Sequence, residues 1–355
     1  MAFSPLTLAI ASRSSGSGTH DSVQPNPNLT PRWITSTGQG LVDRYEPLWE
    51  IGLPPQRNTM NMMWIHAVDA DAAADGVDLL LTGARGNRHF SADGPRWLVD
   101  LFAHARTRDL WAETCAWADR TGTGTAKVLR DHLLVPVLPD QVRRWWRARR
   151  GAEDGVSHWL GATAIAESRK DSLDLPSLLP QTTSVDSSTW LRATADLFDG
   201  SQQGAESHLV TRAVHGFDNV DPTSDCRIVE LALTQPERWR RYRGADRAIV
   251  RRAMADRLPL EVAWRRERGE QLPDWFDRLH DVRDELVAEV DAAHDHPGTR
   301  DVVDTARLRR LVRDLPARGA ELDAQDHRDY RLAMPRALLL SRYVRWFEQR
   351  DLHAR

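Results

Sequence analysis

Cysteine is nearly missing from this chain: two in 355 residues, Cys115 and Cys226. They lie far apart without a CxxC spacing, so a disulfide scaffold is excluded, at most one bridge is possible, and no zinc site can be built from cysteine alone. That usage suits a reducing cytoplasm. Long apolar runs are missing too. The stretch "PLTLAIAS", residues 5–12, is too short to span a bilayer and has no basic residue before it, so it reads as a core strand rather than a signal peptide. Neither sign of charge dominates, because 48 basic residues face 51 acidic ones for a net charge of −3, with arginine spread along the chain. Such a balance sets up no field toward nucleic acid, and neither nucleic acid nor membrane is expected as a partner. No internal repeat is present.

What is there is a chain 41% hydrophobic, enough for one large core or two smaller ones. Its 14 tryptophans fall mostly in helix-like patterns such as "RRWWRARR" and "YVRWFEQR", which points to packing rather than to a platform for bases or sugars. Residues 6–12 read as a strand, and the polar segment from Ser14 to Pro31 as a loop. In "RNTMNMMWIHAVDADAAADG", Met60, Met63, Trp64, Ala67 and Val68 recur at helical spacing, and Gly76 marks the stop. Leu79 to Leu81 then read as a buried strand leading into "TGARGNR", a turn with Gly83 and Gly86 and no acid. Strand, helix, strand is the grammar of a doubly wound parallel sheet, whose crevices hold phosphates.

Beyond residue 95 the pattern is helical, with no further strand expected. Helices are expected at "PRWLVDLFAHA", "RDLWAETCAWADR" and around residues 140–150, and residues 168–189 read as a surface connector. In "TSDCRIVELALTQP" a helix places Ile228, Leu231 and Ala232 on one face with Thr223 or Ser224 as N-cap. "ADRAIVRRAMADR" is a helix closed by Pro259, and a long amphipathic helix near 326–350 is interrupted at Pro335. His294 and His296, beside Pro297, read as a surface turn without further metal ligands, and no resident metal site is expected.

"VDPTSDCRIVELALTQPERW", "GADRAIVRRAMADRLPLEVAWRRERGEQLPDW" and "RALLLSRYVRWFEQR" resemble the C-terminal synthetase domain of asparagine synthetases, most closely the branch that includes lasso-peptide macrolactam cyclases. The resemblance runs in order along nearly the whole chain. It implies an α/β fold of the adenine-nucleotide α-hydrolase type, a Rossmann-like parallel sheet that looks N-terminally truncated, with a large helical C-terminal portion. The chain is then one synthetase-like domain over 1–355, with residues 1–95 as the nucleotide-binding part and 96–355 mostly helical. No glutaminase domain is expected, since no cysteine precedes Cys115. The implied reaction is ATP-dependent adenylation of a carboxylate, with Mg2+, followed by attack of an amine to form an amide. The amine would be ammonia or the N-terminus of a precursor peptide. A small-molecule or precursor-peptide substrate is implied, with a peptidase or leader-binding protein as possible partner.

Residue by residue, the resemblance places Ala11, Ser12, Thr82, Gly83, Gly86 and Asn87 at the nucleotide. The family's turn usually carries acids where this chain has Ala84, Arg85 and Arg88, and Asn87 with Ser91 looks like a feature of the cyclase branch. Arg247 stands where a basic residue nears the phosphates. In "AWRRERG" Glu267 takes the place of a lysine that stabilises adenylation, flanked by Arg266 and Arg268, whose charge is the available substitute. Asp221 and Asp225 match a motif whose role is to cap and anchor. The family's pyrophosphate loop should precede the first strand. "SSGSGTHDS", residues 14–22, is either a loosened version of it or a polar linker, and the long spacing with Pro25 and Pro27 close behind favours the linker. A misplaced start codon, a truncated gene or a degenerate relative are the expectations that follow. The alternative to an enzyme is a non-catalytic scaffold that binds a peptide.

Overall fold

The structure, a computed structural model, describes residues 6–11, 29–34, 45–51, 59–83, 86, 91, 93–94, 96–139, 141–142, 145, 208–209, 211–266 and 274–353. Strand β1 (Leu6–Ala11) pairs in parallel with β2 (Leu29–Ile34), Leu6 opposite Leu29 and Ala11 opposite Ile34. β2 overlaps the end of the expected Ser14–Pro31 loop. Pro31 hid it, because proline cannot donate to a ladder and is confined to edges. A short helix α1 (Glu46–Glu50) precedes α2 (Thr59–Ala74), which lies against the β1–β2 pair and ends at Gly76 with φ +68°. Helical spacing and a left-handed glycine stop account for α2 as expected.

Strand β3 (Leu79–Leu81) follows and pairs in parallel with β4 (Asp218–Val220), Leu81 opposite Val220. Two expectations fail here. A strand does exist beyond residue 95, but Asp218, Asn219 and Val220 carry no alternating apolar pattern and are held only by their partner. Nor is β3 buried: Leu79 and Leu81 are half exposed, because it belongs to a two-stranded sheet. Among the described residues the strands form two separate parallel pairs rather than the single sheet expected, and the chain is otherwise mostly helical.

Helices α3 (Trp97–Ala103), α4 (Thr107–Thr121) and α5 (Thr125–Leu129) enclose Leu98, Leu101, Trp117 and Val128. A π-turn, Arg130–Leu134, leads from α5 into α6 (Val135–Val137). Of the Arg/Trp-rich segment only residues 141, 142 and 145 are described, all helical, and Trp145 is exposed; the 168–189 connector lies outside the described residues. Trp49, Trp117 and Trp275 are buried as expected, whereas Trp111 and Trp239 are exposed.

After β4 come α7 (Cys226–Thr234), α8 (Glu237–Arg240), α9 (Ala248–Ala253) and α10 (Leu260–Ala263). The N-cap of α7 is Asp225, not Thr223 or Ser224, since the latter two belong to a 3-10 turn, Pro222–Ser224. That cap sets the helix on Val229 and Ala232 and leaves Leu231 exposed. Pro259 does not close the preceding helix, which stops at Ala253; it opens α10 as N-cap.

The largest core joins α11 (Trp275–Asp281), α12 (Arg283–Asp295) and two later helices, described next. α13 (Pro297–Arg300) leads to α14 (Thr305–Arg313), then α15 (Ala324–Asp326), a π-turn His327–Ala333, and α16 (Met334–His353). Leu279, Leu286, Val290, Leu308, Met334 and Leu338 form this core, and Met60 of α2 enters it. A third cluster sets Tyr45, Leu48 and Trp49 against Leu339 of α16. At the expected interruption, Met334 N–H donates to Asp329 O, five residues back, which widens the helix just before Pro335. The earlier π-turn repeats the arrangement, Val135 N–H to Arg130 O before Pro136. Proline lacks the N–H and crowds the carbonyl four residues back, and the wider turn relieves both.

Asp323 caps α15 through Gln325 N–H (2.7 Å) and Asp326 N–H (2.8 Å), and Asp326 returns a bond from Asp323 N–H (3.1 Å). Asp323→Ala is expected to cost about 1 kcal/mol in urea unfolding, the usual worth of such a cap.

Candidate nucleotide site

Two turns meet at the carboxyl ends of β3 and β4, where open parallel sheets place ligands. Thr82 N–H donates to Val220 O (2.8 Å) and extends the pairing by one residue. Across from it, the Asp221 carboxylate accepts from Thr223 N–H (2.9 Å), Thr223 Oγ1 (2.5 Å) and Ser224 Oγ (3.2 Å), which fixes the 3-10 turn. Gly86 is buried on this turn. A Cβ there would stand 3.4 Å from Gly83 O and 3.5 Å from Thr223 Oγ1. Gly83 is exposed, and a Cβ on it would meet nothing within 4 Å.

The chain after the turn is fastened at three points. Ser91 N–H donates to Gly86 O (2.7 Å), Asp93 accepts from Arg247 Nε (3.2 Å), and Gly94, with φ +64°, packs on the Arg240 and Arg241 side chains. Arg247 is thus tied to the loop that follows the turn, at a left-handed N-cap of α9 with φ 55°. Arg266 pairs instead with Asp119 of α4 at 3.7 Å, both side chains largely exposed. Its segment is pinned by Arg251, whose Nη1 donates to Ala263 O (2.7 Å) and Arg265 O (3.1 Å), and by Arg120, which donates to Arg265 O (3.2 Å). Ala11 closes β1, in the other strand pair. Ser12, Asn87, Glu267 and Arg268, with the 14–22 loop, lie outside the described residues. Asp93, Arg251 and Arg120 gave no sequence signal, because each acts on a partner remote in the chain.

Asp225 accepts from Arg227 Nη2 (2.8 Å), Nε (2.9 Å) and backbone N–H (2.9 Å). The Arg227 side chain, then its backbone N–H, pulls the carboxyl down to about 2 from the ordinary 3.8. A depressed folded value means the cap contributes fully above pH 3.8 and is lost as pH falls through about 2. An NMR titration of the Asp225 side-chain carbon should show this low midpoint; an ordinary midpoint would mean the Arg227 bonds do not persist in solution.

An open cleft of about 490 Å³ lies between α4 and the segment around Tyr242. Arg106, Arg238, Arg243 and Arg252 line it together with Asp109, Glu113, Trp97 and Tyr242; Arg106 pairs with Asp109 (2.6 Å), and Arg252 stands 4.3 Å over the Tyr242 ring. Elsewhere, His294 meets Thr305 Oγ1 (3.0 Å) and His296 caps α13 by accepting from Thr299 N–H (3.3 Å), so these two serve helix ends. Cys115 and Cys226 are free thiols. No helix among the described residues is long and apolar enough to cross a membrane.

A parallel strand pair thus ends in a glycine turn that packs on a second, carboxylate-fixed turn. Residues 210–340, which hold β4, the Asp221 turn, Arg247 and Arg266, match the family model "Asparagine synthase", and this supports a relationship to the asparagine synthetases. Neither a curated protein nor a solved structure gives a significant match.

Thr82 and Gly86 N–H groups are spent on Val220 O and Gly83 O, and no described residue of the turn is acidic. Gly83 is the point where a phosphate can approach the backbone closely. Magnesium beside phosphates is ordinarily held by one or two carboxylates as well, and the described residues of this turn supply none.

Proposed function

We propose that this chain forms an amide bond at the expense of ATP, in the manner of asparagine synthetases, with a peptide amine as acceptor as in the lasso-peptide cyclase branch. The observation that carries the reading is the packing of Gly86 on Thr223, which sets the Thr82–Gly83 turn beside the Asp221 turn inside the family-matched segment. ATP supplies the leaving group that activates the carboxylate. The chain's own part is to admit phosphate at Gly83 and to hold Arg247 beside the loop through Asp93, where its charge can follow the phosphates. Arginines outnumber acids four to two in the cleft lining, and with Trp97 and Tyr242 this supports an acidic substrate with an apolar body.

ATP–pyrophosphate exchange with magnesium tests the reading. Exchange that requires a candidate carboxylate is expected. A folded chain with neither exchange nor ATP binding would overturn it and favour the scaffold role. Arg247→Ala should lower exchange about 100-fold, as for loss of one electrostatic donor. Its unfolding free energy should move by no more than about 1 kcal/mol, since the Asp93 pair is part exposed.

A further inference from the structure

His66 and Asp69 sit three residues apart on α2, and so share a face. His215 ends a π-turn, Thr211–His215, that packs on the same helix. One ligand atom from each of the three lies within 4.8 Å of the others. We propose that His66, Asp69 and His215 bind a single divalent transition-metal ion of the zinc type, with a fourth position left for water. The inference stands independently of the ATP reading.

Two imidazoles and one carboxylate form a donor set suited to zinc, and ligand bonds of about 2.0–2.2 Å put neighbouring donors roughly 3.3–4 Å apart. Sub-ångström side-chain rotations therefore bring these atoms onto one ion. The Nε2 atom of His215 is buried without a hydrogen-bond partner, a costly state that a metal bond would relieve. Asp69 is almost fully buried, only 4% exposed. The Tyr45 ring, 6.3 Å from His66, and the Phe217 ring, 6.0 Å from His215, give the cluster an aromatic shell. Because His215 is followed by β4, an ion here would fasten α2 to the strand that supports the phosphate turn.

The test uses the full chain and Zn2+, with Co2+ as spectroscopic reporter. One Zn2+ per chain is expected, and Co2+ should give the intense visible absorption of a low-coordinate site, displaced by zinc. His66→Gln and His215→Gln should each weaken binding at least about 100-fold, more than loss of an outer-shell partner costs. Asp69→Asn, which keeps the shape of the buried side chain, should do the same while circular dichroism stays unchanged. His104→Gln, at an exposed histidine that follows the last residue of α3, should bind as the parent does. Absence of stoichiometric binding, or binding undiminished in both histidine variants, overturns the proposal.

Discussion

Gly244→Ala is expected to lower the unfolding free energy by about 2–5 kcal/mol, the sum of a left-handed backbone penalty and overpacking. Gly244 has φ +71°, and a Cβ on it would stand 2.3 Å from Ala116 O and 2.7 Å from Trp117 N. Both obstacles are backbone of α4, which cannot swing away as a side chain can. The contact is locked from the other side as well. Glu113 accepts from Arg243 N–H (2.8 Å) and Gly244 N–H (2.9 Å), and the Arg241 guanidinium covers the Trp117 ring at 3.5 Å. Since Arg247 follows three residues later, the variant should lose exchange activity together with stability. Denaturant unfolding checks the first expectation. A change under about 1 kcal/mol would show that α4 recedes at little cost.

Leu286→Ala should be at least as damaging, about 3–5 kcal/mol, the range for a fully buried leucine whose cavity does not collapse. Leu286 is 1% exposed on α12, in the cluster that takes in Met60 of α2. The two sites lie in different clusters, so the double variant should show the sum of the single effects within about 0.5 kcal/mol. The sum presumes that both cores unfold in one cooperative transition, so a clear departure from additivity would mean that the two sites are coupled through the packing between them or that the cores unfold separately.

Local chemistry made α2, its Gly76 stop and β3 readable, because spacing and a left-handed glycine act within a few residues. The same held for Asp221 and Asp225 as caps. Where two structures compete for the same residues, reading failed: Thr223 and Ser224 looked like caps for α7, but the 3-10 turn claimed them and Asp225 took the position. Pairing partners were invisible. Asp218, Asn219 and Val220 become a strand only beside β3, and Pro31 masked β2. Of the candidate site, Thr82, Gly83 and Gly86 were legible as a turn and the structure packs them on Thr223. That Arg247 answers to Asp93, or that His215 reaches His66 and Asp69, depends on how remote segments fold together.

The π-turn before Pro335 has a consequence for lineage. A π-turn holds one residue more than the α-helical turn it replaces, yet the helix on each side keeps its facing. Tyr330 and Ala333 within the π-turn, and Ala337 and Leu338 in α16, are all buried. The segment His327–Ala333 is where a one-residue gap belongs when this chain is aligned with a relative whose final helix runs unbroken.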